Sequence, residues 1–149
     1  ALRGLSRRIG PGFAKGGLVV TGPQWGARHS RRRVGRGQMT VGETRSGLVA
    51  ADEIGVSPSL SPNLPTVSVP YGALLARHSD NLLVAGRHIS TDAQTHTYMR
   101  EIPQCWLTGH AAGIAAALSV QAGVSPKDVS IPDLQATLRR QGAHLRDPS

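Results

Sequence analysis

The sequence predicts an α/β segment in its carboxyl-terminal half, preceded by an irregular basic region. Three observations carry this. Asn81–Gly86 (NLLVAG) is a compact apolar run that ends in glycine, Gln104–Ala122 is a long stretch rich in Ala and Leu, and the first third mixes Gly and Arg without a lasting period. At 149 residues the chain is of single-domain size and can bury roughly two-thirds of its unfolded surface.

The net charge of +8 is unevenly placed. Residues 1–50 carry ten Lys/Arg against the single acid Glu43, whereas residues 51–149 are close to balance, with seven basic and eight acidic side chains. Gly and Pro together make about 19% of the chain, below the range of low-complexity segments. The longest apolar run, Ala111–Val120, is too short for a membrane span and contains Gly113 and Ser119. No uninterrupted apolar stretch follows the basic start, because Gly12, Lys15, Gly16 and Gly17 break it, so no secretory signal is read. A single cysteine, Cys105, excludes an internal disulfide and any cysteine-based zinc site. These features describe a soluble, cytoplasmic chain with a basic arm.

Taken in order, Leu18–Val20 is a candidate short strand before the Thr21–Pro23 turn, and Gly47–Glu53 a candidate helical turn or two. Ser57–Pro65 is a loop, since it holds three prolines in nine residues. Thr66–Val69 alternates and is β-branched, so it reads as a strand that Pro70 stops. Tyr71–Arg77 reads as a short helical segment. Asn81–Gly86 reads as a buried strand of a parallel sheet. Arg87–Met99 is polar and without clear period. Pro103 suits the first turn of a helix over Gln104–Ala122 that Gly123 ends. A second helix opens at Ser130 or Pro132, carries Asp133 in its first turn and Leu134, Leu138 and Gln141 at helical spacing, and closes at Gly142.

The strand–loop–helix unit is where chemistry is expected. A buried strand ending in Gly86 delivers main chain to the edge of a sheet, where ligands of open α/β sheets bind, and Arg87 sets a cation there. A helix opening near Pro103 presents free N–H groups and a positive dipole end, which favour a phosphate or a delocalised anion. Gly109, Ala112, Gly113 and Ala116 form a small-residue stripe that suits close helix packing. His96 and Tyr98 are candidate proton donors or substrate contacts, or else solvated loop residues. Asp92, His96 and His110 lack metal-site spacing, and no metal is expected. Cys105 reads as a small apolar helix residue.

At these residues the sequence resembles the carboxyl-terminal segment of FAD-dependent oxidoreductases of the glutathione-reductase-like, fumarate-reductase-related kind. The resemblance covers Tyr71–Leu145, about half the chain, through PYGALL (70–75), DNLLVAGRHIS (80–90), MREIPQCWLTGHAAGIAAAL (99–118), GVSP (123–126) and LRRQGA (138–143). GARHSRRRVG (26–35) is similar to an Arg/Ser-rich strand entry of these enzymes. The resemblance implies a partial FAD-binding, Rossmann-like domain over 66–149, made of its last strand and carboxyl-terminal helices. Residues 1–65 would then be a basic Gly/Arg/Pro-rich arm or part of a substrate cap. It implies FAD as cofactor, with contacts at Gly86, Arg87, Ile89, Ser90, Arg100, Ile102, Pro103 and Gln104. Gly86 would lie against the diphosphate and ribityl chain, and the helix start at Arg100–Gln104 beside the pyrimidine end of the flavin. There the dipole would stabilise charge formed on reduction. His96, Tyr98 and Arg100 are the catalytic candidates.

The strand–GxGxxG–helix unit that grips the ADP half of FAD in such enzymes has no counterpart here. Gly10–Gly12 follows no apolar strand and has no acidic residue about 20 positions on. The resemblance therefore implies a fragment, a degenerate relative or a small subunit, with a larger chain supplying GxGxxG and a small molecule as substrate. A different class of reading is a non-catalytic module whose Arg28–Arg36 segment, with five arginines in nine residues, engages nucleic acid or an acidic protein. The absence of aromatics in that segment argues against base stacking.

Overall fold

The computed structural model describes residues 31–58 and 62–146, together with Lys15, Val20, Gly26, Arg28 and His29. The candidate strand at Leu18–Val20 lies outside the described residues except for Val20, which belongs to no regular element.

The described chain is a two-stranded antiparallel ribbon covered by helices. Helix α1 (Val41–Ser46) opens with a reciprocal capping box: the Thr40 hydroxyl accepts from the Glu43 N–H, and the Glu43 carboxylate accepts from the Thr40 N–H at 3.1 Å. Strand β1 (Glu53–Ser57) pairs with β2 (Val67–Pro70) through Gly55–Val69, Val56–Ser68 and Ser57–Val67, with an irregularity between Glu53 and Gly55. A 3-10 turn over Tyr71–Ala73 follows β2 directly. After a further 3-10 turn at Gly86–His88 come α2 (Ala93–Met99), α3 (Ile102–Ala122) and α4 (Ile131–Arg140).

The core gathers Ile54 of β1, Val67 and Val69 of β2, the Tyr71–Ala76 segment, Ile89, Met99, Ala111, Ile114 and Ala115 of α3, and Leu134 and Leu138 of α4. Helix α3 lies directly on the ribbon. A Cβ at Gly55 would stand 2.7 Å from the Leu107 side chain, so the strand carries glycine where the helix presses on it. The Leu134 and Leu138 spacing gives α4 its single buried face, and Ser130 caps it by accepting from the Asp133 N–H at 3.4 Å.

Several expectations need correction. Asn81–Gly86 is not a strand of a parallel sheet. It makes one antiparallel bridge, Leu83 to Leu75, and Leu82 is exposed, because among the described residues only Leu74–Ala76 runs beside it. The helix expected at Gly47–Glu53 lies upstream instead: the Thr40–Glu43 box starts it at Val41, and Gly47, at φ 74°, ends it in the left-handed region. Arg87–Met99 contains α2, started by Asp92, whose carboxylate accepts from the Thr95 N–H at 2.7 Å. The helical segment at Tyr71–Arg77 shortens to a single 3-10 turn. β2 begins at Val67 rather than Thr66 and takes in Pro70 as its last residue. Of the stripe Gly109, Ala112, Gly113 and Ala116, Ala112 packs against the core, whereas the other three are exposed and a Cβ at either glycine would meet nothing among the described residues. Helix α3 starts two residues earlier than Gln104, at Ile102, with Pro103 in its first turn, and ends at Gly123 as expected.

Candidate functional site

The three segments nominated by the sequence meet at the start of α3. Gly86 has φ +67°, in the left-handed region open mainly to glycine. Its N–H donates to Thr108 Oγ1 at 2.9 Å, and the missing side chain would point at Cys105, 3.6 Å from Sγ. The strand end is thereby tied to the first turns of α3. Thr108 can serve because its own hydroxyl donates back to the Gln104 carbonyl at 2.8 Å.

His96 on α2 closes the same corner. Its Nε2 lies 3.0 Å from the Arg87 carbonyl, which can only accept, so Nε2 carries the proton. Nδ1 is then a buried acceptor with no donor opposite it. His29 rests on the ring at a centroid distance of 4.5 Å. Burial, with the positive charges of His29, Arg32 and Arg100 nearby, holds the His96 pKa below the usual histidine value, against the opposing pull of the Arg87 carbonyl. Tyr98 stands half-buried on the same helix, its phenol pushed up by burial.

Arg100 follows as the C-cap of α2, and its Nε and Nη1 atoms are buried without hydrogen-bond partners. Among the described residues the buried side-chain polar atoms without a partner fall on Thr91, His96, Arg100 and Gln104, while the Tyr98 hydroxyl lies within reach of the Thr44 and Thr95 hydroxyls. Native proteins leave few such groups, each costing about 1–3 kcal/mol.

The remaining candidates are placed differently. Ile89 is fully buried in the core. Ser90 is buried and held by main-chain bonds to Ala73 and Met39. Ile102 and Pro103 are exposed at the open end of α3, beside Glu101, which pairs with Arg28 at 2.7 Å. Gln104 turns inward, where its Nε2 donates to Ser57 Oγ at 2.9 Å. Arg87 is exposed.

The arginine-rich segment is not a free arm. Arg28 pairs with Glu101 and Arg36 with Asp80, and the main chain of 33–39 bonds to Leu75, Gly72, His88 and Ser90. Its participation beside His96, through His29 and Arg32, was missed by motif reading. The only hint was the resemblance of GARHSRRRVG to a family segment, which carries no position. No helix among the described residues is long and apolar enough to cross a membrane.

No curated protein and no solved structure matches the chain. A family model described as FAD dependent oxidoreductase matches residues 60–138, a span that includes Gly86, α2 and the start of α3. The chain thus belongs to the FAD-dependent oxidoreductase family, and its cofactor is FAD.

Proposed function

We propose that this chain forms the carboxyl-terminal part of a flavin site of the glutathione-reductase-like, fumarate-reductase-related kind. The GxGxxG half comes from a larger chain, and the site moves hydride between a small-molecule substrate and FAD. The observation that carries the reading is the set of partnerless buried polar atoms on His96, Arg100 and Gln104, inside the family match.

Those atoms fit a flavin. Arg100 offers two unspent N–H donors, which suit the carbonyl-rich pyrimidine ring, and Gln104 Oε1 is an unspent acceptor. Gly86 presents main chain with no side chain in the way, as close approach of a ribityl or diphosphate group requires. The exposed α3 start adds the positive end of a 21-residue helix. Bound FAD supplies the hydride chemistry. Arg100 and the α3 dipole supply fixed positive potential where negative charge develops. His96, neutral near pH 7 and with its Nδ1 lone pair open, accepts a proton from substrate, while Tyr98 lines the same side. Ile89 and Ser90 support the Gly86–His88 turn from below rather than reaching the cofactor with their side chains.

Support for a larger partner comes from two features. Among the described residues the outer edge of Leu83–Ala85 has no main-chain ladder, and α3 leaves Ile102, Trp106 and Val120 exposed. An open extended edge and an exposed apolar helix face each suit contact with another chain.

The test is the visible absorption spectrum of the protein purified from its native source, with every co-purifying chain identified by mass. Flavin bands and a larger GxGxxG chain are expected, and Arg100→Gln in that complex is expected to weaken FAD retention about tenfold. A colourless, partnerless chain that gains no bands on adding FAD would overturn the proposal.

A further inference from the structure

The flavin reading leaves unused a second polar concavity on the arginine-rich side of the molecule. Arg32, Arg33, Arg36 and Arg77 surround it, Ser90 and Thr91 form its floor, and its volume is about 400 Å³, within the usual range for small-ligand sites. Three chain segments build it. Gly35 bridges Ala76 and Met39 bridges Thr91, so residues 33–39 run between 75–77 and 88–92. The Arg77 N–H donates to the Val34 carbonyl at 3.0 Å, and the Arg33 N–H to the His88 carbonyl at 2.9 Å. Arg33, Arg36 and Arg77 are thus anchored by main chain, with Arg32 next to the anchored Arg33, and the backbone of the concavity is set before any ligand arrives.

Its charge is not balanced from within. Arg36 shares Asp80 with Lys127, and among the described residues Arg32, Arg33 and Arg77 have no carboxylate within ion-pair distance. Converging cations repel one another unless an anion sits between them. The floor adds an independent sign. Thr91 is 3% exposed, Met39 holds it in place through bonds to its neighbours, the Ser90 carbonyl and the Asp92 N–H, and its hydroxyl is buried with no partner among the described residues. An unspent hydroxyl in a concavity lined by arginines matches an oxyanion, whose oxygens accept from both.

We propose that this cavity binds a small oxyanion group, phosphate-like or carboxylate in character, held by Arg32, Arg77 and the Thr91 hydroxyl. The anion site stands without the flavin reading, and only the identity of the molecule that bears the anion rests on it. The Arg32 charge also reaches His96, so an anion bound here lies beside the proposed flavin corner.

The experiment is calorimetric titration of the full chain with inorganic phosphate at low ionic strength. Saturable binding at one site is expected. Thr91→Val, which keeps the shape and removes the hydroxyl, is expected to weaken it about tenfold, and Arg32→Gln with Arg77→Gln by at least as much. Arg139→Gln with Arg140→Gln on α4 is the control for diffuse charge and is expected to change little. Equal loss in all variants, or no saturation, would overturn the proposal. Should Thr91→Val fail to fold, judged by circular dichroism, the arginine pair decides. Adding FAD separates the sources. Displacement of phosphate assigns the site to the cofactor's own diphosphate, and retention assigns it to a separate molecule. Phosphate binding by this chain in a complex with its larger partner that never takes up FAD would leave the anion site intact and remove the flavin reading.

Discussion

His96 is buried as a neutral base, and that has a consequence for stability. Its folded-state pKa lies below its ordinary value, so below about pH 6.5 the unfolded chain binds the proton more readily than the folded one. The stability tied to the neutral ring is present above that pH and is lost as the pH falls through the folded pKa. Replacing His96 by Gln should flatten the fall in unfolding midpoint between pH 7 and 5, measured by thermal melts. An unchanged slope would remove His96 as its source. Tyr71 gives the opposite case at high pH. Burial pushes its pKa up to about 12, and its hydroxyl donates to the Pro126 carbonyl at 2.7 Å. Its contribution is complete below pH 10 and lost as the pH rises through about 12. Tyr71→Phe leaves the Pro126 carbonyl with only the long Val129 N–H bond, at 3.4 Å, and should cost about 1 kcal/mol in denaturant titrations near pH 7. Glu53 is 3% exposed and holds Arg146, whose Nη2 donates at 2.9 Å, Nε at 3.1 Å and main-chain N–H at 2.8 Å, with the Ser68 hydroxyl as a fourth donor. Glu53→Ala strands a guanidinium and should cost about 3 kcal/mol.

At the scale of elements, α3 carries the argument. From Ile102 to Ala122 it has no Asp, Glu, Lys or Arg, and its apolar residues run around the whole circumference. Such a helix is normally covered on all sides. Here one side rests on β1 and α4 while Trp106 remains 74% exposed. Trp106→Asp should therefore leave the unfolding free energy of this chain within about 0.5 kcal/mol of the parent. The same change should abolish co-purification with the larger chain. Retained co-purification would move the docking surface elsewhere. The short α1 depends on its cap instead of on burial, since Thr44 is its only buried residue. Thr40→Ala should cost about 1 kcal/mol, seen as early loss of amide protection at Thr44.

At the scale of the molecule, local chemistry in the sequence was enough for α3 and α4. Alanine and leucine content, Pro103, Gly123, Ser130 and the Leu134–Leu138 spacing are read over a turn or two, and the structure follows them within about two residues. The capping signals of α1 and α2 were equally local but were hidden by polar surroundings. The convergence of Gly86, His96 and Arg100 could be named only through resemblance, because nothing in their spacing brings them together. The apolar run Asn81–Gly86 misled for a definite reason. Composition states that a segment wants burial between neighbours, but which neighbours it finds is decided by the chain around it, and here one edge is left open. Burial, likewise, is a property of the assembled fold. Sequence alone determined α3 and α4, their end signals, and the FAD-dependent oxidoreductase family. Only the tertiary structure decided that Ile89 and Gln104 turn inward, that the arginine segment is bound into the fold, and that unspent polar atoms collect between Thr91 and Gln104. Helical periodicity is fixed by contacts a few residues apart, whereas a polar atom's partner lies wherever the fold happens to bring one.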